Sequence, residues 1–312
     1  MKKVIYKKID LFLKDINICI NILTMSQQYN CVQIIDDSDD ESEVKEEVIV
    51  IEPLKKARKP RVKKPEILFV EEDTIISKAP ICLLKKYMHE QGFMEIGADE
   101  AGRGPMLGRV YSGAVILPKD DSFDHFKMKD SKKFTSKNPK KIQEAAEYIK
   151  EHAICWAVEY EDERVIDEIN ILQATQSAMH KAIKSVIRQL QIKESEVGLD
   201  PNYNNLLLLI DGNYFKQLTI LNQGKTKLVH INYETVEGGD NKFTSIAAAS
   251  ILAKVERDKY IEALCKENPE LIERYGIDSN KGYGSKVHMD GIKTYGITKW
   301  HRRTFGICKT YV

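Results

Sequence analysis

The sequence predicts an α/β domain over residues 89–312, and two patterns support this prediction. Short apolar runs rich in β-branched residues have the length and composition of strands. Between them lie longer segments whose apolar residues recur every three or four positions, which is the spacing of an amphipathic helix. Strands and amphipathic helices bury their apolar faces best against each other, so we expect one layered α/β domain.

The predicted elements follow one another in a simple order. A Gly/Pro-rich turn separates two runs that are expected to form a hairpin, at 94–98 and 110–117. Further strands are predicted at 153–160, 206–210 and 228–233, and helices at 137–151, 169–190 and 245–264. The strand at 206–210 is apolar throughout, which predicts burial on both faces, whereas 228–233 is expected at a sheet edge. Small residues at 247–250 predict that the last of these helices packs close to the sheet.

Composition excludes some classes of protein and leaves others open. The chain has 312 residues and 35.8 kDa, with 48 Lys and Arg against 47 Asp and Glu. No apolar run approaches the roughly 18 residues of a spanning helix, which argues against a membrane protein. The six cysteines are scattered without a C-x-x-C pair, so they indicate no zinc or redox motif and suit a reducing compartment. A balanced total charge can still conceal local patches that bind nucleic acid.

Residues 1–88 differ from the rest of the chain and predict a disordered N-terminal extension. Eight of the twelve residues at 36–47 are acidic, and seven of the ten at 55–64 are basic. Blocks of like charge repel one another and bury little apolar surface. The basic block has three interpretations: a nuclear address, a phosphate-binding arm or a solvated linker. The expected location is therefore the cytoplasm, or the nucleus if the basic block acts as an address.

Acidic residues stand at the ends of the predicted strands. Asp99 and Glu100 directly follow the first strand, Asp211 follows the strand at 206–210, and Asp240 precedes the helix at 245–264. Any one of them could be a helix cap or a turn residue. As a set they favour a metal site, because buried carboxylates need a partner and oxygen-only ligands suit Mg²⁺ or Mn²⁺. Two such ions can promote hydrolysis of a phosphodiester.

A glycine-rich segment follows the first acidic pair. Gly102 and Gly104 let a backbone approach a ligand closely, and Arg103 between them supplies a fork of donors for a phosphate. A tight hairpin turn explains the same three residues equally well. Their position beside the predicted metal ligands favours contact with a substrate.

The motifs of the chain, taken together and in order, resemble those of type 2 ribonuclease H, ribonuclease HII, and its bacterial branch in particular. The resemblance extends from residue 94 to about residue 308. The matching segments are 97–105 (GADEAGRGP), 130–133 (DSKK), 171–175 (ILQAT), 210–212 (IDG), 239–240 (GD), 245–255 (SIAAASILAKV), 257–258 (RD), 282–284 (GYG) and 301–305 (HRRTF).

This resemblance implies a fold, an activity and a cofactor. The fold would be RNase H-like, with a central mixed β-sheet flanked by helices. The activity would be endonucleolytic cleavage of RNA in RNA–DNA hybrids and at single ribonucleotides in duplex DNA, serving ribonucleotide and primer removal in replication and repair. The family's metal-binding acids correspond to Asp99, Glu100, Asp211 and Asp240. They would hold two divalent ions, Mg²⁺ or Mn²⁺.

The resemblance also implies substrate contacts. Gly102, Arg103 and Gly104 would grip the ribonucleotide and sense its 2′-hydroxyl, and Tyr283 would stack on the next sugar. Tyr283 could instead be an aromatic plug in a glycine-rich turn. Four basic side chains are expected at backbone phosphates, with a solvated surface role as the alternative for each: Lys132, Lys133, Arg302 and Arg303.

The mechanistic hypothesis is attack of activated water on phosphorus, leaving 5′-phosphate and 3′-hydroxyl ends. Two alternatives remain: a nuclease of the same fold that acts mainly on long hybrids, and a non-catalytic hybrid-binding protein. Arg109 departs from the family pattern, which often has Pro there, and we expect it to affect packing or DNA contact. Nothing in the sequence demands a partner subunit, so the catalytic domain is predicted to be a monomer.

Overall fold

A computed structural model describes residues 84–129, 139–196, 203–222 and 226–311. The predictions for the charged blocks of the N-terminal extension, and for Lys132 and Lys133, lie outside these residues. Within the described part of the chain, no helix has the length and apolar character needed to cross a bilayer.

The strands of the described chain are β1 (Met94–Ala101), β2 (Val110–Ile116), β3 (Cys155–Glu161), β4 (Leu206–Asp211), β5 (Thr219–Leu221), β6 (Leu228–His230) and β7 (Asn232–Val236). Five of them form the main sheet, in the order β3-β2-β1-β4-β7. Strand β1 pairs antiparallel with β2 and parallel with β4, so the predicted mixed sheet is confirmed. Two further strands, β5 and β6, form a separate antiparallel ribbon.

Helices cover both faces of the sheet. The three predicted helices are present, and three shorter ones follow in the C-terminal part of the described chain. They are α1 (Pro139–His152), α2 (Glu163–Glu196), α3 (Thr244–Glu267), α4 (Glu270–Tyr275), α5 (Ile277–Asn280) and α6 (Lys286–Tyr295).

Each face of the sheet has its own apolar core. On one face, Met179 and Ile183 of α2 pack against Ile96 and Ile210 of the central strands. On the other face, the small residues of α3 pack together with α1 against β2. Alternate residues of a strand point to opposite faces, so β4 contributes Leu208 and Ile210 to the first core and Leu207 and Leu209 to a cluster with Ile246 of α3 on the other face. This explains why the strand at 206–210 is apolar throughout.

Helix α3 lies unusually close to the sheet, as its small residues predicted. A Cβ at Gly97 would overlap the backbone of Ser245 and Ile246, and a Cβ at Gly113 would overlap that of Ala249. Glycine is therefore required at both strand positions by close approach of the helix backbone. The close approach brings the first turns of α3 next to the end of β1.

The prediction of one continuous edge strand at 228–233 is wrong. Residues 228–230 form β6 of the ribbon, and β7 begins only at Asn232. The buried Ile231 between them is fixed by loop contacts, because its N–H donates to the Leu218 carbonyl and its carbonyl accepts from the Gln217 side chain. The apolar pattern is continuous across this point and cannot show that the strand changes partner.

Helix α2 is bent near its start. Asn170 has φ 67° and ψ 163°, which interrupts the helical path. Its side-chain oxygen accepts the N–H of Gln173, as an N-cap residue does, so it caps the long segment that follows. The predicted helix at 169–190 corresponds to this capped segment.

Residues 84–88, at the end of the predicted disordered extension, are packed against the domain. Leu84 is buried, Lys85 pairs with Phe243 in an isolated bridge, and the N–H of Met88 donates to the Glu95 carboxylate. The described domain therefore begins at least as early as Leu84.

Candidate active site

Two of the predicted metal ligands lie at the same level on neighbouring parallel strands. Ala98 of β1 is the register partner of Ile210 of β4, so Asp99 and Asp211 follow a matched pair. Gly97 and Leu209, two residues earlier on each strand, face α3. Because side chains alternate, both carboxylates point to this face at the carboxyl ends of their strands.

The third aspartate is brought in by a turn before α3. Asp240 lies in the 3-10 turn Gly239–Asn241 and is almost completely buried. The N–H of Gly239 donates to the Asp211 carboxylate at 2.6 Å, which ties this turn to the end of β4. The side chain of Asn241 donates to Asp240 at 3.1 Å. Asp240 and Asp211 therefore come together although they are far apart in the sequence.

The charges around Asp99 oppose its ionisation. Burial raises the pKa of this carboxyl well above its usual value, and the negative charges of Glu100 and Asp211 raise it further. Hydrogen bonds from the Ser250 hydroxyl and the Glu100 N–H act in the opposite direction. An ionised Asp99 therefore lacks sufficient compensation from the protein itself.

This arrangement fits a divalent cation in the chemistry of its donors. The candidate ligands are all carboxylate oxygens, and a bound cation would relieve the repulsion at Asp99. Among the described residues, no three His, Cys, Asp or Glu side chains are already arranged around one point as metal ligands. The site thus has the donor set and the excess negative charge for a metal, without a closed ligand cage.

The Gly-Arg-Gly segment lies directly beside the carboxylates. Arg103 donates to the Glu100 carboxylate at 3.2 Å, and about half of its side chain remains exposed. Gly102 has φ 91°, a left-handed conformation that favours glycine. A Cβ at Gly104 would come within 3.3 Å of the Tyr283 ring. The structure therefore brings Tyr283 to the loop that the sequence placed beside the metal ligands.

Tyr283 stands on a constrained turn. The preceding residues, Lys281 and Gly282, both have positive φ, and Met106 donates its N–H to the Gly282 carbonyl at 2.8 Å. The buried guanidinium of Arg257 donates to the Lys281 carbonyl at 2.9 Å and lies 5.9 Å from the Tyr283 ring centre. The ring itself is half exposed, so one side remains open to a ligand.

Arg302 binds backbone carbonyls of the protein and not, as the resemblance implies, phosphates of a substrate. Its side chain is fully buried and donates to the carbonyls of Gly102 at 2.6 Å, Arg103 at 2.9 Å and Gly108 at 2.8 Å. Burial and the charge of Arg257 lower the pKa of Arg302 to about 9. The residue supports the glycine-rich loop from beneath and cannot reach a solvent-exposed phosphate in this position.

Arg303 and Arg109 have surroundings different from those of Arg302. Arg303 is exposed, and its backbone N–H donates to the Asp167 carboxylate at 2.9 Å. Arg109 lies between the rings of Tyr160 and Tyr260, 4.1 and 4.4 Å from their centres. Its packing role, one of the two expected from the departure at this position, is therefore observed.

A buried histidine pair connects the Tyr283 turn to the segment that carries Arg302. The N–H of Thr298 donates to Nδ1 of His301, which leaves the proton of that ring on Nε2. This proton is donated to Nε2 of His288 over 3.0 Å, and Nδ1 of His288 donates to the Tyr283 carbonyl at 2.9 Å. Burial lowers the pKa of both imidazoles, and that of His301 falls to about 3.

Sequence reasoning assigned no role to Ser250, Arg257 or His288. Ser250 and Arg257 lie within the recognised motifs, where a polar residue among small helix residues and a lone arginine were the available signals. Nothing in the sequence indicated that these side chains would be buried against Asp99 and the Tyr283 turn. His288 lies outside the motifs and carried no signal of its own.

Comparisons with known proteins show the family of this chain. The profile of the family described as Ribonuclease HII matches residues 96–308. The ribonuclease HII of Chlorobium luteolum is 40% identical over 230 residues, which are 72% of this chain and 95% of that protein. The ribonuclease HII of Cytophaga hutchinsonii is 42% identical over 217 residues, 70% of this chain and 91% of that protein.

A solved structure supports the fold. The crystal structure of Bst-RNase HIII in complex with Mn²⁺ matches with a TM-score of 0.51 and 15% identity, over 70% of this chain and 69% of that one. This likeness confirms the RNase H-like fold that the motifs implied. The family match and the bacterial relatives show that the chain belongs to the ribonuclease HII family and is a ribonuclease H, a hydrolase.

Proposed function

We propose that this protein cleaves the RNA strand of RNA–DNA hybrids and also cuts at single ribonucleotides embedded in duplex DNA. The observation that carries this proposal is the close approach of the Tyr283 ring to Gly104, where an added Cβ would lie 3.3 Å from it, in the loop that follows Asp99 and Glu100. A group that recognises the 2′-hydroxyl must lie next to the scissile phosphate if one ribonucleotide is to be sufficient. Such cleavage would serve removal of ribonucleotides and RNA primers from DNA.

The cofactor we propose is a pair of Mg²⁺ or Mn²⁺ ions held by Asp99, Glu100, Asp211 and Asp240. When bound, these ions would activate water and stabilise the leaving oxygen of the phosphodiester. The repulsion that raises the pKa of Asp99 supports a cation at this position. The hydrogen bond from Gly239 would keep Asp211 oriented towards the site.

Other groups of the protein around the site would bind the substrate. Arg103, held against Glu100, would present its free donors to the scissile or the neighbouring phosphate. The backbone groups of Gly102 and Gly104 would form hydrogen bonds with the 2′-hydroxyl, both as acceptors and as donors. The open side of the Tyr283 ring would stack on the adjacent sugar. Arg303 and the undescribed Lys132 and Lys133 remain proposed phosphate contacts.

The test is cleavage of three matched duplexes: all DNA, DNA with one ribonucleotide, and a continuous RNA–DNA hybrid. We expect cleavage of the second and third with Mg²⁺ or Mn²⁺, 5′-phosphate ends and no cutting of the first. Asp99→Asn should reduce kcat by a factor of about 10³ or more. Tyr283→Ala should reduce cleavage at the single ribonucleotide more than cleavage of the hybrid.

Two outcomes would favour the alternatives. Cleavage of the hybrid alone would indicate a nuclease specialised for long hybrids. Tight binding of both ribonucleotide-containing duplexes without metal-dependent cutting would indicate a non-catalytic binding protein.

A further inference from the structure

A basic groove runs along helix α2, outside the catalytic site. It has a volume of about 520 Å³ and lies between the helix and the segment that follows β4. The described residues that line it are all neutral or basic, and they include Lys181 and Lys184 on the helix and Lys216 on the facing segment. A groove of one charge sign raises the local concentration of a ligand of the opposite sign.

The facing segment is fixed to the helix by hydrogen bonds. The N–H of Lys216 donates to the Gln176 side chain at 2.8 Å, and Nε2 of His180 donates to the Lys216 carbonyl at 2.7 Å. The backbone of Lys216 is thus held in place five residues after Asp211. The groove is therefore held in a fixed form on the α2 side of the sheet, beside the segment that leads away from Asp211 at the end of β4.

The positive charge of the groove is only partly neutralised. Lys181 pairs with Glu161 at 2.8 Å. For Lys184 and Lys216, no carboxylate of the described residues lies within the 4.0 Å distance of an ion pair. The helical residues that line the groove recur at three- and four-residue intervals, so they form one stripe along α2.

We infer that this groove binds the sugar-phosphate backbone of the substrate duplex on one side of the scissile bond. This inference rests on the proposed function, because the site beside it is assigned to a nucleic acid. Gln173 and Lys184 are eleven residues apart, or about 16 Å along the helix. At about 3.4 Å per nucleotide along one strand of a duplex, this length corresponds to about five nucleotides.

The test compares Lys184→Gln/Lys216→Gln with Lys259→Gln/Lys266→Gln. The control pair removes two exposed lysines from α3, on the other face of the sheet. Dissociation constants are measured without divalent cations across a salt series, on a ribonucleotide-containing duplex with arms of about ten base pairs. Two further duplexes have one arm or the other shortened to about two base pairs.

We expect the groove variant to bind the long duplex about tenfold more weakly and to lower the log–log salt slope by about two. Shortening one arm should abolish its difference from wild type, while shortening the other should not. The control pair should match wild type in binding and slope. Wild-type affinity and slope in the groove variant would overturn the inference.

The same experiment separates this inference from the proposed function. If wild type fails to cut the ribonucleotide yet the groove variant loses affinity for the long duplex, the groove assignment stands and the proposed function fails. If wild type cuts normally and the groove variant binds like wild type, only the groove assignment fails.

Discussion

Two buried carboxylates on strand β1 have opposite electrostatic surroundings. Glu95 accepts the N–H groups of Met88 and His89, at 3.1 and 2.7 Å, and pairs with Lys119 at 3.5 Å. Asp99, four residues later, faces the charges of Glu100 and Asp211. The first carboxylate is compensated by donors of the fold, whereas the second is opposed by burial and like charges. Such a destabilising arrangement is typical of a functional site.

The contrast predicts opposite effects of removing the two charges. In the absence of divalent cations, Asp99→Asn should raise the free energy of unfolding by about 1 kcal/mol, or Tm by about 2–4 °C. Glu95→Gln should lower it by about 1–3 kcal/mol, because charged hydrogen bonds are lost. Thermal and denaturant unfolding would measure both changes. An Asp99→Asn protein less stable than wild type would contradict the assignment of repulsion at this site.

The buried pair His288 and His301 predicts a loss of stability in mild acid. Their pKa values are lowered in the folded state, to about 3 for His301, while the unfolded imidazoles titrate near about 6.5. As pH falls below about 6.5 the unfolded chain takes up protons that the folded one excludes. Each such histidine therefore costs up to about 1.4 kcal/mol per pH unit.

The measurement is the free energy of unfolding between pH 7 and pH 5. His301→Gln should lower the free energy of unfolding at pH 7 but make it less dependent on pH. The reason is that residue 301 would no longer take up a proton when the chain unfolds. The exposed His230→Gln serves as the control and should retain the wild-type dependence. An unchanged slope in His301→Gln would mean that this imidazole is not held neutral.

At the scale of elements, the loop between β1 and β2 depends on a distant segment of the chain. Arg302 donates to three carbonyls of this loop, and the two segments are about 200 residues apart in the sequence. Loops have little rigidity of their own, and a recognition loop must hold its backbone groups in place. The C-terminal segment supplies this support, and His301, beside Arg302, links it to the Tyr283 turn.

We therefore expect Arg302→Lys to lower the free energy of unfolding, although the substitution keeps the positive charge. Lysine cannot reproduce the fork of donors, so at least one buried carbonyl loses its partner, at about 1–3 kcal/mol each. A displaced loop should also lower kcat on the single-ribonucleotide duplex by a factor of about 10². The exposed neighbour Arg303→Lys is the matched control, with a stability change within about 0.5 kcal/mol. Equal behaviour of the two variants would refute the supporting role.

At the scale of the whole molecule, the site is assembled where the sheet, the β1–β2 loop and the C-terminal helices meet. The sheet contributes Asp99 and Asp211, the turn before α3 contributes Asp240, and the turn before α6 contributes Tyr283. Ligand sites of α/β sheets commonly lie at the carboxyl ends of strands. The described N-terminal residues contact the opposite end of β1 through Glu95.

This placement makes a prediction about truncation. A chain that starts at residue 84 should retain the stability of the domain and its metal-dependent cleavage, because the family match begins only at residue 96. A chain that starts at residue 93 would lose Leu84 and the donors of Met88 and His89 to Glu95. We expect it to be less stable by about 2–4 kcal/mol. Equal unfolding curves would place the boundary nearer residue 93.

Much of this protein could be predicted from its sequence. Apolar periodicity indicated strands β1 to β4 and the three long helices, because local burial requires it. The four acids and the Gly-Arg-Gly segment could be selected as candidate site residues, because metal chemistry and close backbone approach restrict the residue types that would serve them. Ordered motifs then indicated the family, which the comparisons confirmed.

Other features were decided only by the tertiary structure. Arg302 and Arg303 are adjacent basic residues, yet one lies buried under the loop and the other faces solvent. The change of partner at Ile231 and the histidine pair behind Tyr283 are equally invisible in the local sequence. Sequence determines which chemical groups are available, and burial with long-range hydrogen bonding determines which of them meet. The physical reason is that these contacts join segments far apart in the chain, where local pattern carries no information.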